Sequence, residues 1–198
     1  MYKIKKIDRK VTEIYDPLWD IAELAEVALD NWDEKLKEPK MTARVLYSDY
    51  GLHVKLTTDE KDLVARYREQ NTAVCDDSCM EFFFRPNENA PHYINFEINP
   101  FGTMYMSVRT SRADFYFPKE DKKYFGIVSE VGPEEWSVVF TVPFEFIDRE
   151  IGGHTKTMYG NFQKCGSGEV RHHFTYYPIK TERPDFHRPE YFGPFELE

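Results

Sequence analysis

Met80-Glu81-Phe82-Phe83-Phe84 and Tyr93-Ile94-Asn95-Phe96-Glu97-Ile98-Asn99 are two runs rich in aromatic and β-branched residues, with the breaker Arg85-Pro86-Asn87 between them. Side chains along a strand alternate between its two faces. Glu81 and Phe83 therefore share one face, with Met80, Phe82 and Phe84 on the other; in the second run Asn95, Glu97 and Asn99 lie opposite Ile94, Phe96 and Ile98. If a hairpin makes these strands neighbours, Glu81, Asn95 and Glu97 form one polar patch pointing away from the core.

Working outward, the same strand chemistry recurs at residues 43–47, 52–57, 104–109, 124–131, 136–142, 158–164, 172–177 and 195–197. Asp49-Tyr50-Gly51, Asn99-Pro100-Phe101-Gly102 and Gly132-Pro133 punctuate these runs as turns. Residues 25–31 carry both a two-residue and a helical period and are assigned to a strand. Asp16 and Pro17 supply a cap and a first-turn proline for a short helix, and residues 143–150 suit one or two further helical turns. There is no internal repeat, low-complexity tract or linker. Many short strands with hairpin turns predict an all-β fold over residues 1–198: a single antiparallel two-sheet β-sandwich, jelly-roll-like, with one or two short helices.

The chain has 198 residues, 41% hydrophobic and 31% charged, a balance that fills a core. Its 16% aromatic content exceeds what such a core needs, so some rings are expected on a binding surface. A formal net charge of −9 argues against a nucleic-acid partner, whose phosphates are held by Lys and Arg. No apolar run approaches the roughly 20 residues of a membrane helix. Cys75, Cys79 and Cys165 are odd in number and no export signal is visible, which together suggest reduced thiols in the cytoplasm.

The chain resembles the family 9 carbohydrate-binding modules, and in particular their stand-alone relatives. The resemblance rests on the early Trp19, on Ala43-Arg44-Val45-Leu46-Tyr47 with Gly51-Leu52-His53-Val54, and on Asp77-Ser78-Cys79-Met80-Glu81-Phe82-Phe83 followed by Tyr93 to Asn99. It is completed by Phe186-His187-Arg188-Pro189-Glu190-Tyr191-Phe192-Gly193. It implies a sandwich that binds the ends of short saccharides between aromatic rings, sometimes with structural calcium, and without catalysis. Position by position, Glu81 matches an acidic sugar contact, Gln163 an amide contact and Phe186 one of two sandwiching tryptophans. Val74-Cys75-Asp76 stands where the partner ring would be, and Glu97 where the family has an arginine contact. Tyr67 or Tyr105 is the candidate replacement ring. The expected carbohydrate site is thus Glu81, Asn95, Glu97, Gln163 and Phe186, lining a shallow pocket that binds weakly.

The chemistry of a sugar supports these residue types. A pyranose offers an apolar C–H face to a flat ring, and hydroxyls to carboxylates and amides. Other readings remain open beside it. Glu81 and Glu97 could be the two carboxylates of a glycoside-processing enzyme, or simply a solvated sheet face. Six methionines and six histidines would allow a haem or redox-partner domain, though none sits in a diagnostic pairing. Cys75 and Cys79 with His172 or His173 form a weak zinc candidate against the default of small buried thiols. Asp76-Asp77 could ligate calcium or be an ordinary solvated pair. Arg109 and Arg112 either close over a ligand or pair with the acidic excess. Trp19, Trp32 and Trp136 are read as packing residues.

Overall fold

The alternation read from residues 80–99 is realised as a hairpin of β5 (Cys79–Arg85) and β6 (Tyr93–Ile98), in which Glu81 pairs with Glu97 and Phe83 with Asn95. This computed structural model describes residues 1–32 and 36–198. Before the hairpin come β1 (Tyr2–Lys6), β2 (Ala25–Val27), β3 (Met41–Ser48) and β4 (Gly51–Thr58). After it come β7 (Met104–Arg109), β8 (Phe115–Tyr116), β9 (Val128–Val131), β10 (Trp136–Pro143), β11 (Thr157–Gly166), β12 (His172–Thr175) and β13 (Gly193–Leu197). Hydrogen bonds connect them in the order β8-β7-β6-β5-β11-β13-β1-β3-β4-β10-β9, with β12 beside β11 and β2 beside β3.

The expectation of purely antiparallel strands is corrected at one place. β1 runs parallel to β13 at Tyr2–Ile4 and parallel to β3 at Lys5 and Lys6, so the sheet is mixed and curls through β1. Its partners are distant in sequence, so no hairpin turn dictates their direction. The strand itself escapes a reading that stops at the charge of residues 1–10: Tyr2 and Ile4 are buried at alternate positions while the lysines between and beyond them face outward. The Tyr2 hydroxyl donates to the Glu23 carbonyl and accepts from the Val45 N–H.

The curl brings the two arms of the sheet face to face. Phe96 of β6 meets Phe140 of β10 with ring centroids 5.1 Å apart, and Phe82, Phe84, Phe162 and Phe195 stack beneath Tyr2. Each fully buried ring contributes about 1.5–3 kcal/mol relative to exposure, so this aromatic interior is the main source of cohesion. Trp19 and Trp136 are buried within it or its satellite cluster, as read from the sequence.

Helix is sparse. Asp16 caps Pro17–Ile21 by accepting from the Leu18 N–H at 2.9 Å, but the turn is a 3-10 helix. α1 (Phe144–Ile151) buries Phe146 and Ile147 and ends at Gly152, whose φ of 87° is left-handed and suits glycine. Of the expected strand at 124–131 only Val128–Val131 pairs; residues 124–127 turn beneath the core, with Phe125 buried.

One further feature positions the site. After β12 the chain returns across the outer face of β5, β6 and β11, anchored by Asn161, whose amide donates to the Tyr177 carbonyl at 2.9 Å and accepts from its N–H at 2.8 Å. Ile179, Phe186 and Phe192 then cover Phe83 and Tyr93 in a second apolar cluster. The polar face expected to meet solvent is therefore roofed.

Candidate functional site

Three neighbouring strands form the floor under that roof. Gln163 of β11 pairs with Glu81 of β5, which pairs with Glu97 of β6, so the three side chains form one row on one face. Above them is a cavity of about 220 Å³ whose lining includes Glu81, Glu97, Phe83, Cys165, Phe186 and His187. Arg112, Arg171, His173 and Asp185 stand around it. Such a volume lies below the about 300–1,000 Å³ of pockets for drug-sized ligands and suits one small ring.

The floor is deeply buried: Glu81 is 2% exposed and Glu97 4%. Burial pushes the Glu81 carboxyl well above its usual range, and the neighbouring Cys165 and Glu97 add to the effect. Burial likewise lifts Glu97 to about 7, opposed by Arg109 and by the hydrogen bond from Asn95. That bond runs from the Asn95 amide to Glu97 Oε1 at 2.9 Å, while the Asn95 carbonyl oxygen accepts from Ser107 Oγ and from Arg109 Nε at 3.0 Å. Arg109 also donates to the Tyr105 hydroxyl and to the Arg112 carbonyl, both at 2.8 Å. Arg109 thus braces the floor from the side, on the same face as Asn95, whereas Arg112 lines the cavity and pairs with Asp185 at 2.7 Å.

The walls are aromatic on one side. Phe186 is 9% exposed and packs against Trp32 at 5.9 Å and His173 at 5.9 Å. His187 lies over Phe83 at 4.9 Å and shares a 3.1 Å hydrogen bond with the Tyr93 hydroxyl. Burial, with Arg109 and Arg112 nearby, lowers the His187 imidazole to about 3, so it is neutral. With Nδ1 engaged by Tyr93, Nε2 is the nitrogen left for a ligand, and a neutral ring brings no charge to neutralise.

A model of carbohydrate-binding family 9 matches residues 14–197. The chain belongs to carbohydrate-binding family 9. Among solved structures, a proposed carbohydrate-binding protein from Bacteroides uniformis superimposes on this family 9 chain with a TM-score of 0.86 at 24% identity, covering 99% of this chain and 98% of that one. A family 9 module from Caldicellulosiruptor kristjanssonii in complex with cellotriose gives a TM-score of 0.70 at 12% identity, covering 100% and 93%. A family 9 module from the same organism in complex with glucose gives 0.68 at 12%, covering 99% and 95%. These likenesses establish a shared fold. No curated protein matches the sequence.

In this family 9 chain Glu81, Glu97 and Phe186 line the cavity. Gln163 and Asn95 share its floor but do not line it; both are fully buried. The expectation that these residues face solvent in a shallow surface pocket is therefore corrected, because the returning segment covers them. Neither Tyr67 nor Tyr105 lines the cavity; both pack in the surrounding cluster, and the wall at Cys75 and Asp76 has no ring. Sequence reasoning missed His187, Arg171, His173, Asp185 and Cys165 as lining residues. For His187 a signal existed, its place beside Phe186; the others depend on how the roof folds.

The metal readings come out differently from their sequence versions. His172 and His173 do point to opposite faces: His172 Nε2 lies 3.2 Å from Lys164 Nζ while His173 meets Phe186. Cys75 is exposed, and among the described residues no cluster joins Cys75, Cys79 and a histidine. Asp77 is fully buried and its oxygens accept from the Arg66 and Tyr67 N–H groups, the Asn99 amide and Arg66 Nε. Those bonds hold its carboxylate below the usual range against the opposing effect of burial, and leave Asp76 as the exposed member of the pair.

Proposed function

We propose that this family 9 chain is a non-catalytic carbohydrate-binding protein whose cavity takes one terminal sugar ring. The observation that carries the reading is the meeting of Phe186 with Glu81 and Glu97 in one cavity of single-ring size. Phe186 supports the apolar C–H face, and the floor carboxyls, Arg112 and neutral His187 accept from or donate to the hydroxyls. Asn95 fixes Glu97 from the same face by donating to its carboxyl, and Gln163 stands beside Glu81 in the floor row. The two family 9 modules with glucose and cellotriose bound favour a β-glucan end as the first ligand to test. The curled sheet works as a two-layer sandwich with this site on the outer face of one layer, and residues 1–198 act as one carbohydrate-binding unit.

Binding is favoured over catalysis because the sequence offers no second signature of a glycosidase cleft beside Glu81 and Glu97. Binding is expected to be weak, because among the described residues no second sandwiching ring stands at the Cys75 wall and a typical hydrogen bond nets only about 0.5–1.5 kcal/mol. Calorimetry with glucose, cellobiose and cellotriose, with xylose and galactose as comparisons, tests the reading. Saturable binding to at least one, lost in Glu97→Ala, is expected; no heat and no chemical-shift change with any of them would overturn it.

A further inference from the structure

Cys79 and Cys165 are register partners across β5 and β11, and Glu81 stands two residues beyond Cys79 on the same face. The two Sγ atoms and a Glu81 carboxylate oxygen all lie within 4.8 Å of one another. All three residues are buried, and both thiols are free. The Cys165 thiol already donates to Glu81 Oε1 at 3.2 Å. From these groups we infer a binding site for a borderline divalent cation of the zinc class, with Cys79, Cys165 and Glu81 as ligands.

The geometry needs little adjustment. In a tetrahedral zinc site, with Zn–S of about 2.3 Å and Zn–O of about 2.1 Å, ligand atoms stand roughly 3.6–3.8 Å apart. Side-chain rotations that close the widest separation by about 1 Å therefore suffice. The donor set points to zinc rather than calcium or magnesium, which take oxygen ligands, and the carboxylate makes it less suited to a cuprous ion, which favours sulfur alone. Cys165 and Glu81 line the cavity, which provides the route from solvent. On binding, each thiol releases its proton to solvent, as does Glu81 where it is protonated, so affinity rises with pH. Lys164 donates to the Cys165 carbonyl at 2.7 Å from the opposite face of β11, where its charge is paired with Glu60.

A second observation points the same way. Gln163 is fully buried, stands opposite Glu81 and two residues from Cys165 on that face, and neither atom of its amide has a hydrogen-bond partner. Leaving a buried amide unpaired costs about 1–3 kcal/mol. A water or hydroxyl at the fourth position of the metal would give it one. Glu81 and Cys165 also line the cavity proposed for a sugar, so metal binding is measured without sugar present.

The test is titration of the reduced, intact chain with Co²⁺ under anaerobic conditions. Saturation at one equivalent is expected, with a near-ultraviolet thiolate-to-cobalt band of two-thiolate intensity that Zn²⁺ bleaches. Cys79→Ser and Cys165→Ser should each lose at least half of that intensity, Cys75→Ser should keep all of it, and Glu81→Gln should raise the cobalt needed for half-saturation by about 10-fold or more. Should the buried serine variants fail to fold, alkylation of the wild type decides: zinc should protect Cys79 and Cys165 and leave Cys75 reactive. The inference falls if no thiolate band appears, if the band follows Cys75, if zinc changes no alkylation rate, or if mass analysis shows a Cys79–Cys165 disulfide that forms faster than cobalt binds.

Discussion

Glu81 and Glu97 stand directly opposite one another on β5 and β6, both buried beneath the returning segment, and burial lifts both carboxyls above their usual range. A carboxyl with a raised folded-state value binds its proton more tightly folded than unfolded. Its contribution to stability is complete below the unfolded value and is lost as pH rises through the folded one. For Glu97 that window runs from 4.5 to about 7. The melting temperature should therefore fall across this range through these groups, and Glu97→Gln should flatten the slope, read by thermal denaturation at fixed ionic strength. An unchanged slope would show that Glu97 does not titrate there.

Sugar affinity should move the opposite way. Hydroxyls donate more strongly to a carboxylate than to a neutral carboxyl, so calorimetric affinity should rise as pH passes about 7, where Glu97 ionises. Glu97→Gln should remove that rise while leaving the domain folded by circular dichroism. An affinity independent of pH in the wild type would sink the role given to Glu97.

Phe186 has a structural role besides the ligand-facing one proposed for it, because its ring packs on Trp32 and His173 and is only 9% exposed. Phe186→Ala is expected to cost about 3–5 kcal/mol of stability in urea unfolding, in addition to affinity. Phe186→Leu keeps most of the volume and should cost under about 1.5 kcal/mol, yet still weaken sugar binding through lost stacking. Equal affinity in Phe186→Leu and wild type would remove Phe186 from the site.

On the other side of β11, Lys164 is fully buried and pairs with Glu60 at 2.7 Å, while Ser78 donates to Glu60 Oε1 at 2.9 Å. Removing one member of a buried pair strands the other charge. Lys164→Met is expected to destabilise by about 3–5 kcal/mol, and the double variant Lys164→Met with Glu60→Gln to recover a substantial part. Denaturant titration of the three proteins measures it; additive losses would show that the two groups are not coupled.

Gly51 closes the turn between β3 and β4, and a Cβ there would lie 2.2 Å from the Val142 carbonyl oxygen, a backbone atom of the adjacent β10 that cannot swing aside. Gly51→Ala should lower stability by about 1–3 kcal/mol, as overpacking does. A melting temperature equal to wild type would show that β10 yields at this point.

Much of the sheet was legible because period-two alternation and turn residues are local properties. The pairing of Glu81 with Glu97 follows from alternation in two runs and one turn, and the turn at Asp49-Tyr50-Gly51 from its residue types. β1 was not legible: its partners β3 and β13 lie far along the chain, and its buried Tyr2 and Ile4 are interleaved with lysines. The helix at residues 17–21 was legible as a capped turn, but its tight 3-10 form was not.

What the sequence determined by itself is which face each side chain occupies, since backbone geometry alone sets that alternation, and hence that Glu81, Asn95 and Glu97 share one face apart from the aromatic interior. Only the tertiary structure decided what that face meets. The segment after β12 is tied down by Asn161 and Asn31, contacts between residues far apart in the chain that no local pattern encodes. It places Phe186 and His187 over the carboxyls in place of water. That burial lifts the proton affinity of Glu81 and Glu97, brings Cys79 and Cys165 into one shielded cluster, and turns an ordinary polar sheet face into a cavity.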